Sequence, residues 1–520
     1  MIMSFATYFF VLVFLPLTVA GYHMINRREH FTLGKCFLLG MSVWFVMTAG
    51  WQGTLITLAL ILLNYAIYRY GYSTRMVKLF MASGIILNIL SLAVFKYLGV
   101  FMAHDADGNV IAGTDIISSM YNVVNLIIPL GISFITFSQI SFLVETGKAA
   151  LASGVSDEIQ AADASDENQA ADSSGTISLL DYALFVMYFP KVTMGPIALS
   201  VDFIPQLNEA VRKKTDYDNL AKGLVSFTFG LAKKVLLADL LAGYVGYAYD
   251  YTPILGATNA WIAVLAYTLQ LYFDFSGFCD MANGISLMLN IDLPVNFNSP
   301  YRSLSIGEFW DRWHITLTKF FTKYIYIPLG GSRKGTVRTY INILIVFLIS
   351  GIWHGNTINF VIWGMIHGVC SCISRMIKPV ENRVPKFIRW IVTFMIINIA
   401  WVFFRAPSLD HAGLMLKEMF GFRFGPVDAN FYVQAFPAEL EIVPWLLNKF
   451  TKVKSTYYFS AVVNVLVVAF GLFASTKMKN TSERLENFKP SKGLLAATVF
   501  LLLWSILSMS DVAGFIYVNF

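Results

Sequence analysis

Residues 339–374 read TYINILIVFLISGIWHGNTINFVIWGMIHGVCSCIS, an uncharged run closed by Arg338 on one side and Arg375 on the other. One helix needs about 20 apolar residues to cross the hydrocarbon core, so a run of this length predicts two spans. The turn between them falls near Gly351 and Gly355, because glycine takes backbone conformations closed to other residues. Trp353-His354-Gly355 lies in that break. An ionisable side chain at membrane depth costs about 2.5 kcal/mol or more when charged, so it faces a cavity or a partner. A histidine there marks a functional position and favours an enzyme over a scaffold.

The rest of the chain has the same character. With 57% hydrophobic and 13% charged residues and a mean hydropathy of +0.62, it is too apolar for an ordinary soluble domain, and its apolar residues fall in long blocks. The expected fold class is all-α, a polytopic membrane protein with one membrane domain over residues 1–520. The first block, Phe5 to Tyr22, has no basic residue before it and Arg27-Arg28 after it, the reverse of a cleavable signal peptide. It predicts a retained span with the N-terminus outside. Further spans are expected near 32–50, 52–68, 79–101, 122–146, 219–245, 259–290, 388–405, 456–475 and 494–512. The total is about 11 or 12, counting the two in the opening run. Arg27-Arg28 and the loop from Arg69 to Lys78 read as cytoplasmic, and His104 to Asp115, with acidic charge alone, as external. The net charge of +6 comes from such short basic loops, and nothing in its placement points to nucleic acid. Cys36, Cys279, Cys370 and Cys372 lie in or beside apolar segments without metal-binding spacing, so they read as packing thiols.

Three stretches break the pattern. Residues 148–178 form an acidic insert in which Ser156-Asp-Glu-Ile-Gln-Ala-Ala-Asp163 recurs as Ser165-Asp-Glu-Asn-Gln-Ala-Ala-Asp172, a low-complexity loop too polar to fold by itself. We place it on the cytoplasmic side. Leu179 to Pro205 is apolar but carries Pro190, Gly195, Pro196 and Pro205, so a re-entrant segment fits better than a straight span. In Ile306 to Tyr324, Phe309, Trp313, Leu317, Phe320 and Tyr324 recur at helical spacing while Arg312, Lys319 and Lys323 fall elsewhere, which predicts an interfacial helix carrying His314.

Candidate chemistry gathers at few positions. His354 and His314 are separated by 40 positions, too far for helix geometry alone to show whether they meet. Asp274 and Asp280 lie in an apolar stretch and need donors or a cation, for which Arg302, Arg312 and Lys319 are candidates. No GxSxG, HExxH or Walker A sequence occurs. A neutral imidazole can take the proton of a hydroxyl as that hydroxyl attacks a thioester, a reaction that needs no metal or bound cofactor.

Longer motifs make a resemblance visible. Asn298-Ser-Pro-Tyr-Arg302, Glu308-Phe-Trp-Asp-Arg-Trp-His-Ile-Thr-Leu317, Tyr324-Ile-Tyr-Ile-Pro-Leu-Gly-Gly331, Ser350-Gly-Ile-Trp-His-Gly355 and Asn359-Phe-Val-Ile-Trp-Gly364 stand in one order. Outlying matches are Pro129-Leu-Gly-Ile-Ser-Phe-Ile-Thr-Phe137, Phe189-Pro190 with Gly195-Pro196, Tyr272-Phe-Asp-Phe-Ser-Gly277 and Trp401-Val-Phe-Phe-Arg405. The set resembles the membrane-bound O-acyltransferase (MBOAT) superfamily, and within it the bacterial branch that O-acetylates alginate, peptidoglycan and other cell-surface polysaccharides.

The resemblance implies a transferase with re-entrant and interfacial helices around a central funnel, in the bacterial cytoplasmic (inner) membrane. It would take an acyl group, usually acetyl, from acetyl-CoA or another cytoplasmic thioester and deliver it to polysaccharide hydroxyls outside. The family's catalytic histidine falls on His354 and its supporting histidine on His314. Asp274, Arg312, Trp313, Trp353 and Asn359 are expected to line the funnel. A separate secreted or membrane-anchored partner of the SGNH hydrolase type is expected to complete the transfer. Asp311-Arg312 and Thr316-Leu-Thr318 depart from the family's usual flanks of Trp-His, and Glu145 stands where an aspartate is common. Teichoic acid D-alanyl transferases share Arg-Trp-His and Trp-His-Gly, while Tyr-Ile-Pro-Leu-Gly-Gly favours the polysaccharide acetylases. The rival class is a multispan transporter or flippase, which broken helices and intramembrane charges also describe. A membrane anchor for a secreted acetylase is a third reading.

Overall fold

The computed structural model describes residues 3–74, 76–97, 128–152, 176–379, 383–427, 449 and 455–511. Among these every regular element is helical. Among the described residues seven helices are long and apolar enough to cross a membrane: Phe10–Arg27, Trp51–Gly71, Val77–Tyr97, Gly256–Met288, Thr336–His354, Ile358–Ile377 and Lys386–Arg405. Phe31–Met47, Lys492–Leu507 and the segment Val465–Thr476 of a longer helix are shorter apolar stretches. The protein is thus an all-α multi-pass membrane protein. The expected external loop 104–115 and residues 153–175 of the acidic insert lie outside the described residues.

Met1–Ser4, Phe9–Gly223 and Ile285–Pro294 form one compact unit. A π-helical turn, Phe10–Phe14, leads without a break into α1 (Leu15–Arg27), and Pro16 stands where the π-helical turn gives way to α-helix. Next come α2 (Phe31–Met47), α3 (Trp51–Ala66), α4 (Val77–Tyr97) and α5 (Ile132–Ala152). Amides tie three of these together: Asn88 Nδ2 donates to Asn64 Oδ1 at 2.7 Å, and Asn64 Nδ2 to Gln139 Oε1 at 3.0 Å. Such bonds join helices where surrounding lipid offers no hydrophobic drive for association. The proline-rich segment is broken as expected, into α6 (Leu179–Met187), α7 (Phe189–Val192) and α8 (Ser200–Asn208).

Phe5–Tyr8, Leu224–Gly284 and Val295–Phe520 form the second unit. The predicted span 219–245 is interrupted: α9 (Tyr217–Ala232) passes through a π-helix, Lys233–Ala238, into α10 (Asp239–Asp250). Its successor α11 (Gly256–Met288) is about 50 Å long. Gly230 of α9 and Gly277 of α11 let backbones touch, since a β-carbon on Gly230 would lie 2.5 Å from the Gly277 carbonyl oxygen.

The predicted interfacial helix over 306–324 is also broken, into α12 (Ile306–Arg312) and α13 (Ile315–Phe321), with His314 between them at φ 44°. Asn296 makes the break. Its carbonyl accepts from Ile315 N at 2.9 Å and its side-chain Oδ1 from Thr316 N at 3.2 Å, so amides at the start of α13 are satisfied from outside the helix.

The opening run folds as the hairpin its glycines predict, α14 (Thr336–His354) and α15 (Ile358–Ile377). A β-carbon on Gly351 would meet the Phe360 carbonyl oxygen at 2.5 Å, and one on Gly364 the Phe347 carbonyl oxygen at 2.4 Å. Then follow α16 (Lys386–Arg405), α17 (Leu409–Phe420), α18 (Ser455–Thr476), α19 (Thr481–Glu486) and α20 (Lys492–Leu507). The Asn298-Ser-Pro-Tyr-Arg302 motif anchors the start of α19. Asn480 Nδ2 donates to Asn298 Oδ1 at 3.0 Å and Ser299 Oγ at 3.1 Å, while Arg302 donates to the Thr476 carbonyl at 3.0 Å and to the Met478 carbonyl.

Candidate active site

His354 is the last residue of α14 and 4% exposed. Its Nδ1 lies 2.7 Å from the Ser350 carbonyl oxygen, one turn back. A carbonyl only accepts, so Nδ1 carries the hydrogen and Nε2 carries the lone pair a general base requires. Aromatic rings box the imidazole: Trp353 at 4.7 Å, Trp363 at 4.6 Å and Phe404 at 5.4 Å between centroids.

His314 reaches the same tautomer by another route. Asn296 Oδ1 accepts from Thr316 N and, at 2.9 Å, from Thr316 Oγ1, and Asn296 Nδ2 is directed at Cys279 Sγ. The oxygen facing His314 Nδ1 at 3.0 Å is therefore an acceptor, and Nδ1 is the donor. Nε2 is buried with no hydrogen-bond partner among the described residues. Burial, and then the charge His354 would carry, hold the His314 imidazole well below its usual value, so it is neutral. That influence also puts the two histidines within electrostatic reach of each other.

The remaining candidates divide. Trp313 is buried against Trp401 at 5.1 Å; Trp401 stacks on Trp363 at 5.9 Å, and Trp363 lies on His354, so a chain of rings connects the Trp-His motifs. Asn359, in the first turn of α15, donates to the Ala406 carbonyl at 2.8 Å and holds the end of α16. Asp274 does not pair with Arg312. It lies 2.9 Å from Lys234 Nζ, which also reaches Asp239 at 2.7 Å. Asp280 takes Lys233 at 2.5 Å and Thr481 Oγ1 at 2.6 Å. Arg312 instead pairs with Glu308 at 3.0 Å and caps the Asn298 carbonyl. The sequence reading missed these lysines although they stand inside an apolar stretch, the same signal that singled out the aspartates. The π-helix puts them to use by changing the local helical phase.

A cavity of about 940 Å³ opens beside the hairpin. Ile343, Val346, Phe347 and Ser350 line it from one face of α14, and His354 is the next position on that face. Exposed Arg375 and Lys378, with Arg389, make its other end basic, and Trp310, Phe321 and Phe347 wall the passage between. His367, opposite, accepts from Trp310 Nε1 at 3.3 Å. Asp311 also lines the cavity; burial, and then Glu308, raise its carboxyl.

Residues 116–406 match the membrane-bound O-acyltransferase (MBOAT) family. The peptidoglycan O-acetyltransferase of Helicobacter pylori is 37% identical over 432 residues, covering 81% of this chain and 80% of that protein. The probable alginate O-acetylase AlgI of Pseudomonas aeruginosa is 32% identical over 435 residues, 81% of this chain and 75% of its own. The teichoic acid D-alanyltransferase of Bacillus subtilis is 25% identical over 306 residues, 55% of this chain and 71% of its own. A buried histidine at the end of a membrane hairpin helix, a cavity lined as far as Ser350 one turn before it, and these similarities converge, and the chain belongs to the membrane-bound O-acyltransferase family as an O-acyltransferase of the polysaccharide- and peptidoglycan-acetylating kind.

Proposed function

We propose that this protein moves an acetyl group from a cytoplasmic thioester, acetyl-CoA or another carrier, to hydroxyls of an extracellular or cell-wall polysaccharide, working in the bacterial cytoplasmic membrane. The observation that carries the reading is the cavity that runs from a basic end to Ser350, one turn before His354. Arg375, Lys378 and Arg389 attract the anionic head of a thioester donor, and the aromatic walls suit its narrow arm. His354 Nε2 takes the proton of the acceptor hydroxyl, and His314, neutral and set by Asn296, orients donor or acceptor beside it. Asp274 with Lys234 keeps a polar element in the apolar interior without acting on substrate, while Trp313, Trp353 and Asn359 hold the walls of the site. Placing thioester and hydroxyl together in a partly dehydrated channel supplies rate by proximity. An SGNH-type partner on a separate chain completes delivery to the polymer.

The acetyl reading rests on relatives that are more similar, and matched over more of this chain, than the D-alanyl transferase. The test is acyl transfer by purified full-length protein supplied with acetyl-CoA or a D-alanyl thioester. Acetyl should be the group moved, and His354→Ala should abolish transfer while the protein still inserts. Full transfer by a stably inserted His354→Ala protein would defeat the assignment of the base.

A further inference from the structure

Ser350 has two polar groups, and they do different work. Its carbonyl oxygen holds His354 Nδ1 at 2.7 Å. Its hydroxyl is left with one contact among the described residues, 3.5 Å to that same Nδ1, whose hydrogen is already directed at the carbonyl. The residue is 4% exposed, so water does not satisfy the hydroxyl freely. Ser350 also lines the cavity, at the position on α14 closest to His354. A buried O–H without a good acceptor, at the inner end of a cavity and one turn from the base, is a donor waiting for an oxygen.

Resting on the proposed acyl transfer, we propose that the Ser350 hydroxyl donates to the carbonyl oxygen of the bound thioester and holds the oxyanion that forms there. The acceptor hydroxyl gives its proton to His354 Nε2 as its oxygen bonds the carbonyl carbon. The C=O electron pair moves onto oxygen, which Ser350 Oγ–H stabilises. Collapse restores C=O and breaks the C–S bond, and the departing thiolate takes the proton from the His354 imidazolium. The products are ester and thiol, with no other reactant. Ser350 is not itself the nucleophile in this arrangement. Its nearest nitrogen, Nδ1, already carries a hydrogen and cannot accept the serine proton.

Two substitutions separate this role from packing. Ser350→Ala keeps the backbone carbonyl that fixes His354, and Ser350→Thr keeps the hydroxyl. We expect full-length protein in lipid vesicles, with acetyl-CoA as donor and a solubilised cell-wall glycan supplied together with the SGNH-type partner, to lose about 100-fold in kcat on Ser350→Ala with KM for acetyl-CoA little changed, the loss typical of removing an oxyanion donor. Ser350→Thr should recover most of it. A Ser350→Ala protein within a few-fold of wild-type kcat, or one changed in KM alone, overturns the proposal. Should Ser350→Ala melt early, Ser350→Cys decides, because it fills the space with a weak donor: a low kcat in Ser350→Cys beside an active Ser350→Thr supports the role, and equal activity of the two overturns it. His354→Ala runs alongside. If it stays active, the acyl-transfer reading itself fails; if it is dead while Ser350→Ala is active, only the serine assignment does.

Discussion

His314 occupies the left-handed region of backbone space, φ 44°, in which a β-carbon is crowded. Asn296 holds it there by taking up the amides beyond it as well as its Nδ1. Strain kept by surrounding hydrogen bonds at a buried histidine is the usual signature of a positioned functional group. Because the folded protein keeps this imidazole neutral well below the ordinary 6.5, the unfolded chain binds a proton that the folded one refuses. Stability from this group is therefore complete above about pH 6.5 and declines as pH falls below it. His314→Gln should flatten the acid side of a plot of melting temperature against pH. An unchanged slope would mean that His314 is already charged in the fold. In transfer assays, His314→Ala should cost no more activity than His354→Ala, in keeping with a supporting role. The placing of both histidines was legible in the sequence, His354 as the interruption of an uncharged run and His314 within the aromatic periodicity of 306–324. Their tautomers were not, since these depend on Asn296 and on a carbonyl one turn away.

The hairpin of α14 and α15 was readable because an uncharged run of double length with glycines at its middle has few other ways to fold. What escaped was any feature decided by phase. The aromatic periodicity of 306–324 continues across Trp313 and His314, yet the backbone breaks there, because an asparagine distant in the chain offers better partners than the next helical turn. Likewise the partners of Asp274 and Asp280 are set by the π-helix at Lys233–Ala238, and Lys234 and Lys233 take the places expected for Arg302, Arg312 or Lys319. The correction has a measurable consequence. Lys234 is 3% exposed and sits between two carboxylates, so Lys234→Met leaves uncompensated buried charge and should cost about 3–5 kcal/mol. Arg312→Ala, which removes a partly exposed pair with Glu308, should cost about 1 kcal/mol or less. Comparable losses of melting temperature in the two variants would argue against the pairing.

For the whole molecule the question is direction. The antiparallel hairpin puts Arg333, Lys334 and Arg338 before α14 on the same side as Arg375, Lys378 and Lys386 after α15, and the positive-inside rule assigns that side to the cytoplasm. His354 then lies about 24 Å along α14 from Arg338, a length comparable with a hydrocarbon core of about 30 Å. On the proposed route a donor held at the basic end and extended along the cavity would pass only its acyl group outward. The most direct measurement uses sealed vesicles of both orientations given labelled acetyl-CoA on the outside only, with an acceptor glycan in the lumen. Inside-out vesicles, which display the basic loops, should label the luminal acceptor, and right-side-out vesicles should not; equal labelling in intact vesicles of both orientations, or labelling of the right-side-out ones alone, would contradict a cytoplasmic donor and the path proposed for its acyl group.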